Sequence, residues 1–233
     1  MKFENTWTGN WEGAFHGLRH PMESYAKSDS DFSFFIALND DDDSKIIIKE
    51  NNNMFEVAEI GPNDLDLAQR MIKAGIPNDK FLRQIFVSVD ITAPLYWWKE
   101  MDTYKVGTTA NSTSTMHKLA STPITLDCFE TDDYEPGLQL IDPIHINVRT
   151  SQFIEDLEQL RQLYNQTKDI RYWKELIRWL PEGWLQTRQW TANYSVLRNI
   201  IHWRKGHKLQ EWNSFIEWCH TLPYAEELLF FDN

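Results

Sequence analysis

The first third of the chain alternates short apolar runs with polar turns, a pattern that predicts β-strands followed by one helix. Continuous apolar runs predict strands at 32–38 and 45–49, and the acidic run at 39–43 lies between them as a solvated turn. The spacing of apolar side chains then predicts a helix that begins after an N-cap at Asn63 and ends before a C-cap at Gly75.

The middle of the chain predicts one more strand and a helix before the pattern becomes irregular. Apolar and polar residues alternate over 84–91, which predicts a half-buried strand, and Pro94 stands near the start of a helix that runs through Met101. The small polar residues of 105–118 can bury little, and 121–150 carries turn signals without a clear period.

From Ser151 onward the pattern is mainly helical. Apolar side chains recur at helical spacing in four stretches, which are 153–164, 173–180, 196–203 and 209–218. Strands followed by helices predict an α+β fold, with an antiparallel or mixed β-sheet packed against helices and a helical C-terminal half. The chain shows no repeat and no low-complexity linker, so we expect a single domain over 1–233. Trp184 and Trp190 look exposed in this pattern, and either core packing or a protein partner would explain such rings.

Composition narrows the class of function without identifying one. The net charge of −12 argues against binding of nucleic-acid polymers, because phosphate backbones require clustered Lys and Arg, but it leaves open a local cationic pocket for one nucleotide. No apolar run reaches about 18 residues, so we expect a cytoplasmic protein without a membrane segment. Cys128 and Cys219 lack metal-ligand spacing, and the acidic run at 39–43 lacks the Gly and Glu of a calcium loop, so we expect no metal.

The sequence contains none of the common catalytic motifs, and a group of polar side chains in its last third stands out instead. Asn193, Asn199 and Arg204 follow Pro181. If 194–205 is helical, two amides and one guanidinium project toward one region, where they can read the edge of a heterocycle. The alternative interpretation is an N-cap at Asn193, an Asn199 bonded to the backbone and an Arg204 on the surface.

This segment resembles the C-terminal motif of flavin-dependent thymidylate synthases. In that family a Leu-Pro pair is followed at a fixed distance by Trp-Thr-x-Asn, then by Leu-x-Asn and a final Arg. The corresponding residues fall at the same places without a gap, and they are Pro181, Asn193, Leu197, Asn199 and Arg204. Two basic positions of the motif differ: Ser195 replaces one Arg, and Ile177 replaces another, although Arg178 lies beside it.

A second, weaker match to the same family precedes this one. The family has a strand that ends in Ala-Pro, then a helix, then the signature Arg-His-Arg-x-x-Ser-x-Asn-x-x-Ser-x-Arg-Tyr. Here Pro94 leads to 103–117, where Asn111 and Ser114 match the signature and Lys105 takes the place of its second Arg. The first Arg, the His and the last Arg are replaced by Thr103, Tyr104 and Met116. One cation of three survives, which indicates a weakened phosphate site or a changed ligand, since hydroxyls do not clamp phosphate as guanidinium does.

The resemblance implies a flavoprotein that acts on a pyrimidine nucleotide. It assigns FAD binding to Ser24, Tyr104, Lys105, Asn193 and Asn199. It assigns binding of the pyrimidine deoxynucleotide to Asn111, Ser112, Ser114, Arg178 and Arg204. It also implies a homotetramer, and reduced folate and NADPH as co-substrates if the family reaction, methylation of dUMP at C5, is retained. Two alternatives remain open: modification of a different pyrimidine, and a non-catalytic descendant that binds nucleotides or a protein partner.

Overall fold

The computed structural model describes residues 1–32, 54–55, 59–132, 134 and 146–232. The predicted strands at 32–38 and 45–49 and the acidic turn between them lie outside these residues, apart from Phe32. Within the described residues five strands form a sheet in the order β2-β1-β3-β5-β4. Their bounds are β1 Lys2–Gly9, β2 Met54–Phe55, β3 Phe86–Pro94, β4 Thr109–Ser112 and β5 Leu185–Asn193.

The sheet is mixed, as predicted. β1 and β2 pair in parallel, with Trp7 opposite Met54 and Thr8 opposite Phe55, and the other strands are antiparallel. Along β3 the buried side chains alternate with partly exposed ones, because successive side chains of a strand point to opposite faces. The predicted half-buried strand is therefore confirmed, displaced by about two residues because a 3₁₀ turn at Asn78–Gln84 precedes it.

The described helices follow the predicted apolar stretches closely. Their bounds are α1 Trp11–Arg19, α2 Pro62–Ala74, α3 Leu95–Met101, α4 Thr115–Lys118, α5 Ile146–Thr167, α6 Ile170–Arg178, α7 Tyr194–Arg204 and α8 Gln210–His220. All four predicted helical stretches after Ser151 are present as α5 to α8, and α3 begins after Pro94 as expected. The α+β fold class predicted from the sequence is confirmed.

The predicted N-cap at Asn63 is wrong, although the C-cap at Gly75 is confirmed. α2 begins at Pro62, which tolerates the first helical position because its missing N–H has no intrahelical partner there. The Asp29 carboxylate accepts the backbone N–H of Asn63 at 2.9 Å and of Asp64 at 3.1 Å. The start of α2 is therefore capped by a residue more than thirty positions away, which local sequence rules do not detect.

The prediction of a mainly helical segment after Ser151 is corrected by β5, a strand between α6 and α7. Gln186, Trp190 and Ala192 are buried along this strand, so Trp190 is a core residue and not an exposed ring. Most other residues of β5 are polar, so the two-residue alternation of buried and exposed side chains is not visible as an alternation of apolar and polar residues in the sequence. Trp184, just before the strand, is half-buried and packs edge-to-face on Phe129 at 5.4 Å.

The chain divides into two compact units, each with its own packed interior. The larger unit comprises Lys2–Ile91, Thr103–Asn111 and Gln189–Asn233, and the smaller unit comprises Met1, Thr92–Asp102 and Ser112–Arg188. The expectation of a single domain over 1–233 stays a prediction.

The larger unit is built around buried aromatic rings contributed by α1, by the 3₁₀ turn at Asn78–Gln84, and by α7 and α8. The fully buried rings are those of Trp11, Phe15, Phe81, Tyr194, Trp212 and Phe215. Trp11 meets Tyr194 edge-to-face at 5.2 Å, a geometry that aromatic pairs prefer. Rings of this size bury much apolar surface per residue, so they fix α7 firmly against the rest of the unit.

The smaller unit has an apolar core, mostly aliphatic, to which α5 and α6 contribute. Its buried members are Leu119, Ile124, Phe129, Ile154, Leu157 and Leu176. Glu158 on α5 ties this core to the preceding loop, because its carboxylate accepts from the Ile124 N–H at 2.8 Å and pairs with Arg161 at 2.6 Å. The hydrogen bond from Arg161 has the largest effect on the pKa of Glu158, and further hydrogen bonds come from Ile124 and Gln162. Together they lower this pKa to about 2, although partial burial acts to raise it.

Candidate functional site

A cavity of about 570 Å³ opens in the larger unit beside the first turns of α7. Three segments of the chain line it, at 76–83, 103–107 and 193–202. Four of the residues predicted to bind the cofactor are among them: Tyr104, Lys105, Asn193 and Asn199. The volume lies in the range of about 300–1,000 Å³ that is usual for small-molecule and cofactor sites. We refer to it as the α7 cavity.

Gly107 lets the backbone of the 103–107 turn approach α7 closely. Its φ of +76° lies in the left-handed region, which glycine adopts without steric cost. A Cβ at this position would lie 3.3 Å from both Asn193 Nδ2 and Val196 Cγ2. The turn is also closed internally, since the Thr108 hydroxyl donates to the Tyr104 carbonyl at 2.8 Å. The wall of the α7 cavity therefore depends on a glycine.

Asn193 is the N-cap of α7 and is nearly buried. Its side-chain oxygen accepts the Val196 N–H at 3.0 Å, which satisfies one of the unpaired N–H groups at the helix start. This confirms the capping interpretation of Asn193. Because the oxygen is used in the cap, the amide nitrogen beside Gly107 is the atom through which Asn193 can donate to a ligand.

The position of the α7 N-terminus is fixed by Tyr194. Its backbone N–H donates to the Ile85 carbonyl at 3.1 Å, and its hydroxyl donates to the Pro223 carbonyl at 2.6 Å. Burial raises the pKa of Tyr194 well above its usual value, so the phenol keeps its proton and remains a donor. Asn193 is thus held by a rigid, buried neighbour.

The side of α7 that faces the cavity carries polar residues at helical spacing. Ser195, Asn199 and His202 recur at i, i+4 and i+7, so their side chains lie along one face. Asn199 is exposed, unlike Asn193. A ligand in the cavity would therefore contact the Asn193 amide, which is fixed by the helix cap, and the exposed Asn199 amide, whose side chain is free to rotate.

Arg198 also lines the cavity and is anchored on its other side. Its Nη1 donates to the carbonyls of Leu228, Leu229 and Phe231 at 2.8–2.9 Å. Burial lowers the pKa of Arg198, but a guanidinium keeps its charge in a protein. The residue therefore provides a fixed positive charge at the wall of the α7 cavity.

The charge of the cavity is opposite to that of the chain. Arg83, Lys105 and Arg198 contribute three positive charges to the wall, and Asp79 contributes one negative charge. The whole chain carries −12. A positive cavity in an acidic protein favours an anionic ligand, since nearby charges act strongly in a concave site with low-dielectric walls.

Arg204 lies next to Tyr104 at the end of α7. Its Nε donates to the Tyr104 hydroxyl at 2.9 Å, and its guanidinium carbon stands 4.3 Å from the centroid of Trp212. Tyr104 and Trp212 meet edge-to-face at 6.2 Å. The structure thus brings two predicted site residues, Tyr104 and Arg204, into direct contact and stacks the guanidinium on a buried indole.

Ser24 lies at a separate, smaller cavity of the same unit. This second cavity has a volume of about 410 Å³, and Arg19, Lys27 and Arg70 are among the residues that line it. Arg19 Nη1 donates to the Ser24 carbonyl at 3.4 Å. The structure does not place Ser24 in the α7 cavity with the other predicted FAD-binding residues.

None of the predicted nucleotide-binding residues, Arg204 included, is among the residues that line the α7 cavity. Asn111 is exposed on β4 in the larger unit. Ser112, Ser114 and Arg178 belong to the smaller unit. Ser114 caps α4 and forms a hydrogen bond of 2.7 Å with His117, and Arg178 pairs with Glu175 on the exposed side of α6. Their predicted roles in nucleotide binding stay predictions.

The sequence interpretation missed two cations of the cavity. Arg198 adjoins Asn199 on α7, which was predicted as a helix, so its place beside the site could have been found from the sequence. Its hydrogen bonds to three backbone carbonyls could not. Arg83 comes from the 3₁₀ turn before β3, more than a hundred residues from α7 along the chain. No local motif links these two segments, and only the packing of the larger unit does.

Known proteins resemble the chain in fold rather than in sequence. No protein-family profile matches the chain, and no curated protein matches it in sequence. Solved structures do match. The flavin-dependent thymidylate synthase ThyX from Helicobacter pylori, complexed with FAD and dUMP, shares 16% identity and a TM-score of 0.62 over 100% of this chain and 99% of its own. The chain has the fold of that enzyme.

Two further solved structures support the same fold. A second structure of Helicobacter pylori ThyX with FAD and dUMP has 17% identity and a TM-score of 0.61, over 100% of this chain and 98% of its own. A UMP/dUMP methylase, PolB from Streptomyces cacaoi, bound with 5-Br UMP, has 13% identity and a TM-score of 0.53, over 73% and 83%. The expected thymidylate synthase-like fold is confirmed, whereas the homotetramer and the cytoplasmic location stay predictions.

The described residues contain neither a membrane-spanning helix nor a metal cluster. No helix among them combines the length and the apolar character needed to cross a membrane. In the same part of the chain, no three His, Cys, Asp or Glu side chains come together as a metal site would require. The α7 cavity gathers four of the predicted cofactor-binding residues and is therefore the strongest candidate for a ligand site in the part of the chain that the structure describes.

Proposed function

We propose that the chain binds FAD and a pyrimidine deoxynucleotide of the dUMP type, and methylates the pyrimidine at C5. The observation that carries the proposal is the α7 cavity, which gathers Tyr104, Lys105, Asn193 and Asn199 beneath a net positive wall. The solved structures with this fold include two complexes with FAD and dUMP and one methylase bound to a halogenated UMP.

The residues of the cavity fit a flavin nucleotide in two respects. Gly107 lets the 103–107 turn pack closely on Asn193 and Val196, which fixes the wall from which the Asn193 amide is presented. Amide donors at Asn193 and Asn199 suit the carbonyl edge of a heterocycle, and the cations of Lys105, Arg83 and Arg198 suit its phosphates.

Catalysis in this proposal comes from positioning, because the cavity holds no protein nucleophile of a known motif. FAD supplies reducing equivalents when bound, as a cofactor that carries the chemistry does. The protein orients the nucleotide with a capped, buried helix start at Asn193, and it supplies positive potential from Arg198. These contributions need no large rearrangement at the moment of reaction.

Spectroscopic titration of the purified chain tests the proposal. FAD added to the protein should give a perturbed flavin absorbance spectrum, and dUMP should then shift that spectrum again. Lys105→Gln should weaken FAD binding by about tenfold or more, since hydrogen bonds to charged groups contribute about 1.5–3 kcal/mol. Lys208→Gln, an exposed lysine of the same unit outside the cavity lining, is the matched control and should leave binding unchanged.

The outcomes separate the alternatives. A protein that takes up no FAD and shows no nucleotide binding would refute the proposal. FAD binding without a response to dUMP would instead indicate a different pyrimidine as the substrate. Formation of dTMP from dUMP, with reduced folate and NADPH supplied, tests the methylation itself, and binding of both ligands without product would indicate a non-catalytic descendant.

A further inference from the structure

The last described residues of the chain pack against α7. We refer to residues 223–231 as the C-terminal segment, and they contain a short π-helix at Ala225–Leu229. This helix contacts α7, α2 and α8, and the side chains of Leu228 and Leu229 are fully buried. π-Helices are rare and occur frequently at functional sites. The C-terminal segment is therefore part of the packed interior of the larger unit.

Two residues of α7, one turn apart, hold the C-terminal segment. The Tyr194 hydroxyl donates to the Pro223 carbonyl at 2.6 Å. Arg198 Nη1 donates to three carbonyls within residues 228–231, at 2.8–2.9 Å. Carbonyls at the C-terminal end of a helix have no intrahelical partner and carry partial negative charge, so a cation is favourable there. Arg198 therefore caps the π-helix.

The same arginine belongs to the α7 cavity. Arg198 is one of the residues that line it. Burial lowers the pKa of Arg198, and the negative charge of Asp79, another lining residue, acts against this effect. The guanidinium is thus within electrostatic reach of the cavity wall. One side chain joins the cavity to the C-terminal segment.

We propose that Arg198 couples the two, so that an anionic ligand in the α7 cavity and docking of the C-terminal segment on α7 stabilise each other. The inference rests on the proposed function, since FAD is the anionic ligand that it invokes. The docked segment holds the guanidinium in place through three carbonyls, so its charge is positioned before the ligand arrives. The ligand in turn brings a counter-charge, which neutral carbonyls cannot supply to a partly buried cation.

The coupling is reciprocal. The factor by which the docked segment raises the affinity for FAD equals the factor by which FAD stabilises docking, and such factors are typically about 5–150-fold. Arg198 is a positioning residue in this proposal, and the C-terminal segment acts on the ligand through it. The two states that the ligand biases are the docked segment and the locally detached one.

Hydrogen exchange of the full chain, measured with and without FAD, tests the proposal. In the unchanged protein FAD should slow the exchange of the Leu228 and Phe230 amide protons by about fivefold or more. Both amides are hydrogen-bonded within the segment, to the carbonyls of Tyr224 and Ala225, each at 2.9 Å. The amides of α5, in the smaller unit, are the internal control and should exchange at an unchanged rate.

Two variants of Arg198 separate coupling from a structural role. Arg198→Met keeps the aliphatic stem and removes the charge and the donors. Without FAD, the amides of the segment should exchange about tenfold faster or more, FAD should bind about fivefold more weakly or more, and FAD should no longer slow the exchange. Arg198→Lys keeps a positive charge and a donor but not the planar fork, so it should recover part of both effects.

A variant of the segment itself tests the reciprocal direction. Phe231 is not among the residues that line the cavity, and its ring centroid lies 5.1 Å from the Lys73 ammonium. Phe231→Ala keeps the backbone carbonyl that Arg198 bonds but weakens docking, so FAD should bind about threefold more weakly or more. Trp179→Ala removes an exposed ring from the smaller unit and should leave FAD binding unchanged.

The outcomes separate this inference from the proposed function. Faster exchange in Arg198→Met with unchanged FAD affinity would show that Arg198 only caps the π-helix, and weaker FAD binding with unchanged exchange would show that it only contributes charge. Either result overturns the coupling, as does FAD binding that leaves the exchange of the segment unchanged or speeds it. A flavin spectrum that shows no uptake of FAD refutes the proposed function, and this inference falls with it.

Discussion

Asp64 on α2 is the buried charge on which the first part of the larger unit depends. Its carboxylate pairs with Arg19 of α1 and accepts the hydroxyls of Ser28 and Ser30, both at 2.6 Å. The side chain of Asp64 is 0% exposed and that of Arg19 is 5% exposed. Asp64→Asn keeps the shape of the side chain and removes its charge, so Arg19 is left as a buried cation without a counter-ion.

The magnitude follows from burial. Breaking a buried ion pair by neutralising one partner costs about 3–5 kcal/mol, because the remaining charge loses its compensation away from water. Asp66, two residues further along the same helix, pairs with Arg70 on the surface, where the two side chains are 67% and 60% exposed. An exposed pair at this helical spacing contributes only about 0.3–0.5 kcal/mol, so Asp66→Asn is a matched control.

The same network predicts how stability depends on pH. Burial by itself raises the pKa of Asp64, but hydrogen bonds from Ser28, Ser30 and Arg19 outweigh it, so the pKa lies below its usual value of 3.8. A carboxylate with a lowered pKa stabilises the folded state fully above its unfolded pKa. That contribution is lost as the pH falls below about 4, through the folded pKa.

Chemical and thermal unfolding of the two variants measures the effect. Asp64→Asn should lower the free energy of unfolding by about 3 kcal/mol or more, and the melting temperature by about 6–20 °C. Asp66→Asn should change the free energy by about 0.5 kcal/mol or less. Equal, small losses in both variants would refute the reasoning, because they would show that Asp64 is not an essential counter-ion of Arg19.

Three further predictions concern the α7 cavity and the smaller unit. Asn193→Ala removes the cap of α7 and should lower the free energy of unfolding by about 1 kcal/mol, whereas Asn193→Asp keeps an acceptor for the Val196 N–H and should lower it less. Equal losses of stability in the two variants would argue against the cap. Gly107→Ala places a Cβ at a positive φ, so it should lower the free energy of unfolding by about 1–3 kcal/mol and weaken FAD binding. Unchanged stability and binding would contradict the close approach of this turn to Asn193. Because the pKa of Glu158 lies at about 2, below its usual 4.5, its contribution to the free energy of unfolding should be complete above pH 4.5 and disappear as the pH falls toward 2. Glu158→Gln should therefore lose less stability over this pH range than the unchanged protein does, and identical acid-unfolding curves would contradict the prediction.

The sequence predicted those parts of the fold in which local periodicity and tertiary packing agree. The apolar stripes of α5 to α8 repeat every three or four residues, and each stripe is long enough to identify a helix. β5 was missed because Thr187, Gln189 and Thr191 separate its buried residues and give the segment no continuous apolar run. The local sequence pattern of this segment does not distinguish a strand from the helices on either side, and pairing with β3 and β4 in the sheet determines that it is a strand.

For the candidate site, the sequence predicted Lys105 and the two asparagines but not the cations Arg83 and Arg198. Asn193 is the N-cap of α7 and Asn199 lies on the helix itself, at the spacing of the motif, and both line the α7 cavity. Ser24 was assigned to the same site and lies at another cavity, because a short motif on a loop does not determine which surface it joins. Arg83 enters the α7 cavity through long-range packing, for which a single sequence carries no local signal.

The positive wall of the α7 cavity within a chain of −12 has a consequence for the kinetics of binding. At a distance, an anionic ligand meets a repelling protein, and only within about a Debye length, roughly 10 Å at 0.1 M salt, does it feel the cations of the wall. Added salt screens the long-range repulsion and therefore eases approach, while it weakens the local attraction and speeds departure. Association and dissociation should both accelerate with ionic strength, so the affinity can change little while the lifetime of the complex shortens.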